Sequence, residues 1–210
     1  MNILLDASPA RLQATTHYPC VVGQLLTPLT NYRNWGGVFA MDNGGFSGFD
    51  GAAFRRLLAR QETHKAECLF VAAPDIVGNA RRTCEAFSHW YDEIHTWPLA
   101  LVAQDGLENL PIPWHLIKAI FIGGSTEWKV SNAAADIVRA AKIMDKYVHV
   151  GRVNEVRRFR HFARLGADTC DGSGLSRFSD EKLGALSVGV TEGEHMPLFQ
   201  KAVNATGANP

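Results

Sequence analysis

The sequence predicts an α/β fold: a trimmed (β/α)8 barrel of the TIM type in a single domain spanning residues 1–210. Three observations indicate it. Short, continuous apolar runs recur along the chain, as expected of strands that are buried on both faces of a parallel sheet. Segments with the apolar spacing of helices lie between several of these runs. The runs begin about 20 to 30 residues apart, which suits the repeat of such a barrel.

Seven apolar runs, each ending in a small or polar residue, are the predicted strands. They are Ile3–Asp6, Val38–Asp42, Leu69–Ala72, Leu99–Val102, Ala119–Ile122, Val148–Val150 and Ala167–Thr169. A further apolar run, Cys20–Val22, falls within the first 37 residues, where the linkers leave little room for full helices. Residues 1–37 are therefore predicted to form irregular strands and loops ahead of the regular repeat.

Three segments have the spacing of amphipathic helices. Their apolar stripes are Phe54, Leu57 and Leu58; Cys84, Phe87, Tyr91 and Ile94; and Ala134, Ile137, Val138 and Ile143. The chain has 210 residues, whereas barrels of this type typically need about 250. The barrel is therefore predicted to be trimmed, and the sequence leaves its closure open. Residues 196–210, which end in the small and polar run Asn204–Pro210, are predicted to form a frayed tail.

The composition predicts a soluble, globular, cytoplasmic protein without membrane contact. Because 21 basic residues balance 21 acidic ones, any contact with nucleic acid must depend on local charge. No apolar run approaches the roughly 20 residues of a membrane span, and the N-terminus lacks the pattern of a secretory signal. The cysteines show no zinc-binding spacing and the sequence has no dinucleotide- or phosphate-binding glycine motif, so neither a metal nor another cofactor is expected.

Polar and glycine-rich segments follow the predicted strands, at the end where such barrels carry their functional groups. They contain the carboxylates Asp42, Asp75 and Asp171, the amide of Gln104, and the glycines Gly44, Gly45, Gly123 and Gly124. Taken alone, the Asp-Asn-Gly-Gly segment is more typical of a turn than of a catalytic loop, and a helix cap, a turn or close packing would explain the others. Their joint occurrence at successive strand ends is what favours a functional site.

Carboxylates without a metal or dinucleotide motif indicate acid/base and covalent chemistry on an organic substrate. One carboxylate can attack an electrophilic carbon while another moves a proton, as in retaining glycosyl transfer. An aspartate beside a glutamine offers acceptors and donors in one plane, which suits the edge of a nucleobase.

Five segments carry a family resemblance. Residues 35–46 (WGGVFAMDNGGF) resemble an apolar strand ending in Asp-Ser-Gly-Gly-Tyr/Phe. Residues 101–106 (LVAQDG) are similar to Val-Gln-Gly-Gly, and residues 122–125 (IGGS) to Gly-Gly-Leu. Gly151-Arg152 and residues 166–171 (GADTCD) resemble Gly-x-Gly, a helix and Gly-x-Asp-x-Phe-Asp. In this order the motifs resemble those of the tRNA-guanine transglycosylases, and most of all their small phage and bacterial relatives, the DNA-guanine transglycosylases of the DpdA type.

The resemblance implies an enzyme that exchanges guanine in DNA for a 7-deazaguanine base through a covalent aspartyl-nucleoside intermediate. Asp171 would be the nucleophile and Asp42 the general acid/base. The implied substrate-binding residues are Asp75, Gln104, Gly123, Gly124, Phe46, Gly44 and Gly45. The implied partners are DNA and a free 7-deazaguanine base, in a bacterial or phage-infected cell, and the need for a helper ATPase stays open.

The chain departs from the tRNA enzymes in two respects. Their Cys-x-Cys-x-x-Cys zinc site has no counterpart, because no cysteine follows Cys170. Residues 172–177 read Gly-Ser-Gly-Leu-Ser-Arg where the family has Leu-Pro-Thr-Arg. A missing zinc subdomain favours DNA over tRNA and leaves the oligomeric state open.

Local charge favours a polynucleotide partner. Residues 152–164 carry five arginines and a single acid, and an exposed basic segment of this kind neutralises phosphates. The predicted nucleic-acid contacts are Arg152, Arg157, Arg158, Arg160, Arg177 and Lys129. A solvated helix face is the alternative interpretation. Base exchange on tRNA or a nucleoside, and a non-catalytic nucleic-acid-binding subunit, are the alternative functions.

One histidine falls within a predicted strand. His149 alternates with Val148 and Val150, so it is predicted to be a core histidine that faces the barrel interior.

Overall fold

The computed structural model describes residues 1–172 and 183–184. Eight parallel strands pair in chain order and close into a barrel, with β8 returning to β1. The strands are β1 (Asn2–Leu5), β2 (Val21–Leu26), β3 (Phe39–Met41), β4 (Cys68–Ala72), β5 (Leu99–Ala103), β6 (Ala119–Ile122), β7 (Tyr147–Val150) and β8 (Thr169–Cys170). The predicted α/β barrel is therefore confirmed, and its sheet is closed.

Six α-helices lie within residues 1–172. They are α1 (Pro9–Thr15), α2 (Gly51–Gln61), α3 (Ala80–Ile94), α4 (Thr126–Lys129), α5 (Asn132–Ile143) and α6 (Val156–Arg164). Residues 27–38 and 104–118, both within the described range, join their strands with loops and short 3-10 turns in place of an α-helix. These shortened connections explain how a small chain closes a full set of eight strands.

Residues 1–37 contain strands and loops as predicted, but the strands belong to the barrel and a helix lies between them. This stretch holds two regular barrel strands and the helix α1. A seven-residue helix fits in the short linker because Ser8 accepts a hydrogen bond from the Arg11 amide and Pro9 occupies the first turn. The predicted stripe on α5 also needs a correction, since Ile143 is 83% exposed at the helix end and Ala141 is buried instead.

The last strand begins two residues later than predicted. Residues 167–168 precede β8, and the carboxylate of Asp168 binds the ammonium of Lys142 at 2.8 Å. β8 itself is Thr169–Cys170, so Asp171 follows it directly.

The side chains of each strand alternate between two cores. One core fills the barrel and consists of Leu4, Leu25, Ala40, Phe70, Ala72, Ala100, Val102, Ala119 and Phe121. The other joins the outward strand residues to the helices, for example Met41 of β3 to Phe54 and Leu57 of α2. This alternation decides which residues beyond the strand ends face the barrel mouth.

Two of the predicted features, the frayed tail at residues 196–210 and the contact Arg177, lie outside the described residues. Among the residues that are described, none of the helices combines the length and apolar character needed to cross a membrane.

Candidate active site

The period of two along the strands carries the predicted residues to the barrel mouth. Each site residue lies two positions after a strand residue that faces the barrel interior. Asp42 comes two after Ala40, Gln104 two after Val102, Gly123 two after Phe121, and Asp171 two after Thr169. Together they line a cleft whose walls are Asp42, Phe46, Asp75, Val77, Val102, Gln104, Phe121, Gly123, Gly151, Arg152 and Asp171. Three of the predicted substrate residues lie outside this lining: Gly44, Gly45 and Gly124. Their backbone amides donate hydrogen bonds to side chains of the site.

Asp171 is held by one donor on each carboxylate oxygen. Its Oδ1 accepts a hydrogen bond from the Arg152 backbone amide at 3.1 Å. Its Oδ2 lies 3.0 Å from Nε2 of His149, whose side chain is completely buried. Arg152 presents its amide from a backbone with positive φ, at 58°. The carboxylate plane is thus fixed at the floor of the cleft.

Asp42 lies in the same cleft with only partial contact with solvent. Burial, and secondly repulsion by Asp171, raise its pKa to about 7, although the Gly44 amide donates to its Oδ1 at 3.1 Å. Gly44 can point this amide back because it has a positive φ of 77°. A carboxyl group with such a pKa is able both to give and to take a proton near neutral pH.

Asp75 is the centre of a buried hydrogen-bond network. Its Oδ1 accepts from Nδ2 of Asn43 at 2.9 Å and its Oδ2 from Nε2 of Gln104 at 2.5 Å. Asn43 also donates to the Ala73 carbonyl and accepts from the Gly45 amide. Burial raises the pKa of Asp75, while these donors oppose the shift.

Gln104 is fixed at both ends of its amide. Its oxygen accepts from the Gly78 amide at 2.8 Å and from the Gly124 amide at 3.0 Å. The Gly124 amide, predicted to hold the base, therefore donates to a side chain in this structure. Gly123 allows the approach, because a Cβ there would lie 2.8 Å from Nε2 of Gln104.

Phe46 and Arg152 close the outer side of the cleft. The Arg152 guanidinium lies 4.3 Å from the centre of the Phe46 ring and donates to the Gly124 carbonyl. Phe46 is 66% exposed despite its apolar ring. A planar guanidinium thus covers an aromatic face that would otherwise be open to a flat ligand.

Lys129 lies elsewhere than predicted. Its side chain is buried and its Nζ donates to the Gly151 carbonyl at 2.7 Å. Burial lowers its pKa to about 8. This position, behind the cleft and away from solvent, argues against the predicted direct contact with a phosphate.

The basic segment forms one face of α6. Arg157 and Arg160 are exposed, whereas Arg158 is partly buried and pairs with Glu155 at 2.8 Å. On the opposite face Phe159 and Phe162 are buried. A separate cavity next to this segment is lined by Thr126, Val130, Glu155, Arg157, Arg158 and His161.

Two residues contribute to the site in ways that the sequence does not predict. Asn43 positions Asp75 from the turn after β3, and the turn pattern at Asn43-Gly44 is the only signal for it. His149 is buried, as predicted for a core histidine, but its partner is a carboxylate of the cleft.

No protein-family model matches this chain, and no curated protein shows significant similarity to it. The fold and the cleft therefore define a class only: a closed α/β barrel with a carboxylate-lined cleft at the carboxyl ends of its strands.

Proposed function

We propose that the protein is a glycosyltransferase that exchanges guanine in DNA for a 7-deazaguanine base. The observation that carries the proposal is the pair of carboxylates in one cleft, Asp171 fixed by donors on both oxygens and Asp42 with a pKa of about 7. Two carboxyl groups with different environments are the arrangement that divides nucleophile from acid/base.

The exchange proceeds in two displacements. Asp171 attacks C1′ of the nucleoside, the bond from C1′ to the base breaks, and Asp42 gives its proton to the departing guanine. The incoming base loses a proton to Asp42 and attacks the same carbon, which releases the Asp171 carboxylate. Two inversions retain the configuration at C1′, and the sugar–phosphate strand stays intact.

Base recognition falls to the network around Asp75. The carboxylate of Asp75 keeps lone pairs beyond those used by Asn43 and Gln104, and it faces the cleft. Because its two partners are donors, they leave an acceptor edge suited to the N–H groups of a guanine. The target base must leave the stack to reach this depth.

Charge and size support DNA as the substrate class. The exposed arginines of α6 lie at the start of the segment after β7, at the same end of the barrel as the cleft. We infer a single-domain transglycosylase without the zinc subdomain of the tRNA enzymes, acting on DNA. Trapping a covalent protein–DNA adduct tests the reaction, and competition among duplex DNA, single-stranded DNA and tRNA tests the substrate.

One observation favours a second candidate, a non-catalytic nucleic-acid-binding subunit. The amide of Gly124 and the face of Phe46 are both occupied by other side chains of the protein. A base enters only if Arg152 moves aside. Binding of DNA without any adduct, under conditions in which free base is supplied, would favour this alternative.

Replacing Asp75 with Asn is expected to weaken binding of free guanine about 10- to 100-fold, which corresponds to about 1–3 kcal/mol for an unmatched buried polar group. The new amide would bring a donor against Asn43 or Gln104, which already donate to this position. Calorimetric titration with guanine measures the change. Asp92→Asn, on the exposed surface of α3, is the matched control. Unchanged affinity in the Asp75 variant would show that the network does not hold the base.

Replacing Arg157 and Arg160 together with Ala is expected to weaken DNA binding. The salt dependence of log Kd should also fall by about one for each phosphate that is no longer neutralised. Both side chains are exposed on α6. Titrations of labelled single-stranded DNA at several salt concentrations measure both quantities. Lys118→Ala is the control, because Lys118 is exposed at the opposite end of the barrel, just before β6. Equal affinity and slope in the double variant would make this segment a solvated helix face.

A further inference from the structure

A line of polar side chains crosses the otherwise apolar barrel interior and ends at Asp171. His149 has no exposed surface, and its Nδ1 lies 2.8 Å from the Thr169 hydroxyl. The phenol of Tyr147 lies next to Thr169, which lowers the pKa of Tyr147 against the larger raising effect of burial. All three residues belong to β7 and β8, which pair with His149 opposite Thr169.

Aromatic rings hold the imidazole in place. The ring centres of Phe70 and Phe121 lie 4.9 and 4.6 Å from that of His149. Both phenylalanines belong to the barrel core, so the imidazole has little freedom to tilt. A polar chain in such surroundings is stable only when every donor meets an acceptor.

Counting protons along the chain assigns a tautomer. An Asp171 carboxylate only accepts, so Nε2 of His149 carries the proton that it donates. In a neutral ring Nδ1 then accepts from the Thr169 hydroxyl. Tyr147 lies beside Thr169 and keeps its proton, because burial raises the pKa of its phenol to about 12. With a neutral ring, both nitrogens of His149 have a partner.

We propose that His149 is a positioning residue: as the neutral Nε2–H tautomer, fixed by Thr169 and by the rings of Phe70 and Phe121, it holds the Asp171 carboxylate in its attacking orientation. The inference rests on the proposed function for the role of Asp171. The backbone amide of Arg152 fixes the other oxygen, so the two donors together define the carboxylate plane. Without His149 the carboxylate turns about its Cα–Cβ and Cβ–Cγ bonds, and misplacing a nucleophile by about 1 Å costs about 100-fold in rate.

Two histidine variants separate positioning from packing. His149→Phe keeps a ring of similar size but has no donor for Asp171. His149→Gln keeps an N–H group at the position of Nε2. We expect the rate of adduct formation to fall about 100-fold in the Phe variant and less than about 10-fold in the Gln variant, with KM for DNA unchanged in both. Thermal unfolding of each variant controls for the fold.

Nitrogen-15 NMR of the histidine side chains tests the tautomer without any substrate. We expect an Nε2–H signal for His149 between about pH 6 and 8, assigned by its loss in the Gln variant. Thr169→Val removes the donor to Nδ1 and is expected to disturb this signal, whereas Thr169→Ser preserves it. The other groups that face Asp171 are Asp42, with a pKa raised to about 7, and Lys129, with a pKa lowered to about 8, so the spectra are repeated in Asp42→Asn.

The outcomes distinguish this inference from the proposed function. A ring protonated only on Nδ1, or a Phe variant that forms adduct at the wild-type rate, would overturn the positioning role, and a doubly protonated ring would overturn the neutral tautomer. If wild-type protein forms no adduct, base exchange is rejected. In that event the NMR result on Asp171→Asn decides whether His149 is bound to this carboxylate, since the Nε2–H signal must shift when its acceptor changes.

Discussion

Asp171→Asn is expected to abolish base exchange and the covalent adduct, with a rate loss of at least about 10³-fold. The amide has nearly the same shape but lacks the negative charge that attacks C1′. Its nitrogen cannot accept a hydrogen bond, so either His149 or the Arg152 amide is left without an acceptor. We expect this change to cost about 1–2 kcal/mol of stability and to leave the protein folded. Incorporation of labelled base and an adduct that survives denaturing electrophoresis are the two measurements.

Asp168→Asn is the matched control for this experiment. Asp168 lies three residues earlier, at the opposite end of β8, where it binds Lys142. Its substitution changes the charge by the same amount but leaves the cleft untouched, so exchange should continue at nearly the wild-type rate. Wild-type incorporation in the Asp171 variant would remove Asp171 as the nucleophile and point to Asp42.

Much of the barrel is predictable because its strands are short and buried on both faces. Such runs leave a signal of continuous apolar residues, and for Ala119–Ile122 the predicted bounds are those of the structure. The first 37 residues are harder to predict, because a seven-residue helix such as α1 is too short to display a full apolar stripe. Closure is not predictable, since it depends on pairing between β1 and β8 at the two ends of the described barrel.

The cleft residues lie close together because the side chains of a strand alternate between its two faces. Asp42, Gln104 and Asp171 each stand two residues beyond an inward side chain, so the sequence pattern that predicts strands also brings these residues to the same rim. Asp75 comes from a loop, and its position depends on Asn43 and Gln104. Hydrogen bonds between residues about 30 positions apart leave no periodic signal.

The position of Lys129 shows where local patterns are misleading. A lysine after a glycine pair and a tryptophan has the sequence context of an exposed ligand-binding residue. The four-residue helix α4, capped by Ser125, turns it inward, and its ammonium finds the Gly151 carbonyl. Tertiary contacts of this kind override the general preference of lysine for the surface.

Asp42→Asn is expected to slow adduct formation about 10²- to 10⁴-fold, the usual contribution of general acid catalysis. In the wild type, the protonated form of Asp42 gives its proton to the leaving guanine, so that guanine does not depart as an anion. Because the pKa of Asp42 is raised to about 7, the single-turnover rate should be level below that pH and fall above it. The variant should lose this transition. Any remaining change near pH 8 would belong to Lys129, whose pKa is lowered to about 8.

The same substitution is expected to stabilise the fold at alkaline pH. A carboxyl group whose pKa rises from 3.8 to about 7 on folding favours the folded state fully below its unfolded pKa, and this contribution is lost as the pH rises through about 7. At about pH 8 the wild type therefore bears the cost of a buried charge, whereas Asn does not. Asn keeps an oxygen for the Gly44 amide.

We therefore compare the free energies of unfolding of the variant and the wild type at two pH values. Their difference should favour the variant by about 1–3 kcal/mol more at about pH 8 than at about pH 4. Denaturant unfolding at both values measures the difference. A gain in stability together with a loss of rate indicates a residue that is kept for function at a cost in stability. If the two proteins kept the same difference in stability at both pH values, the raised pKa would be wrong, and Asp42 would enter the reaction as a permanently charged group.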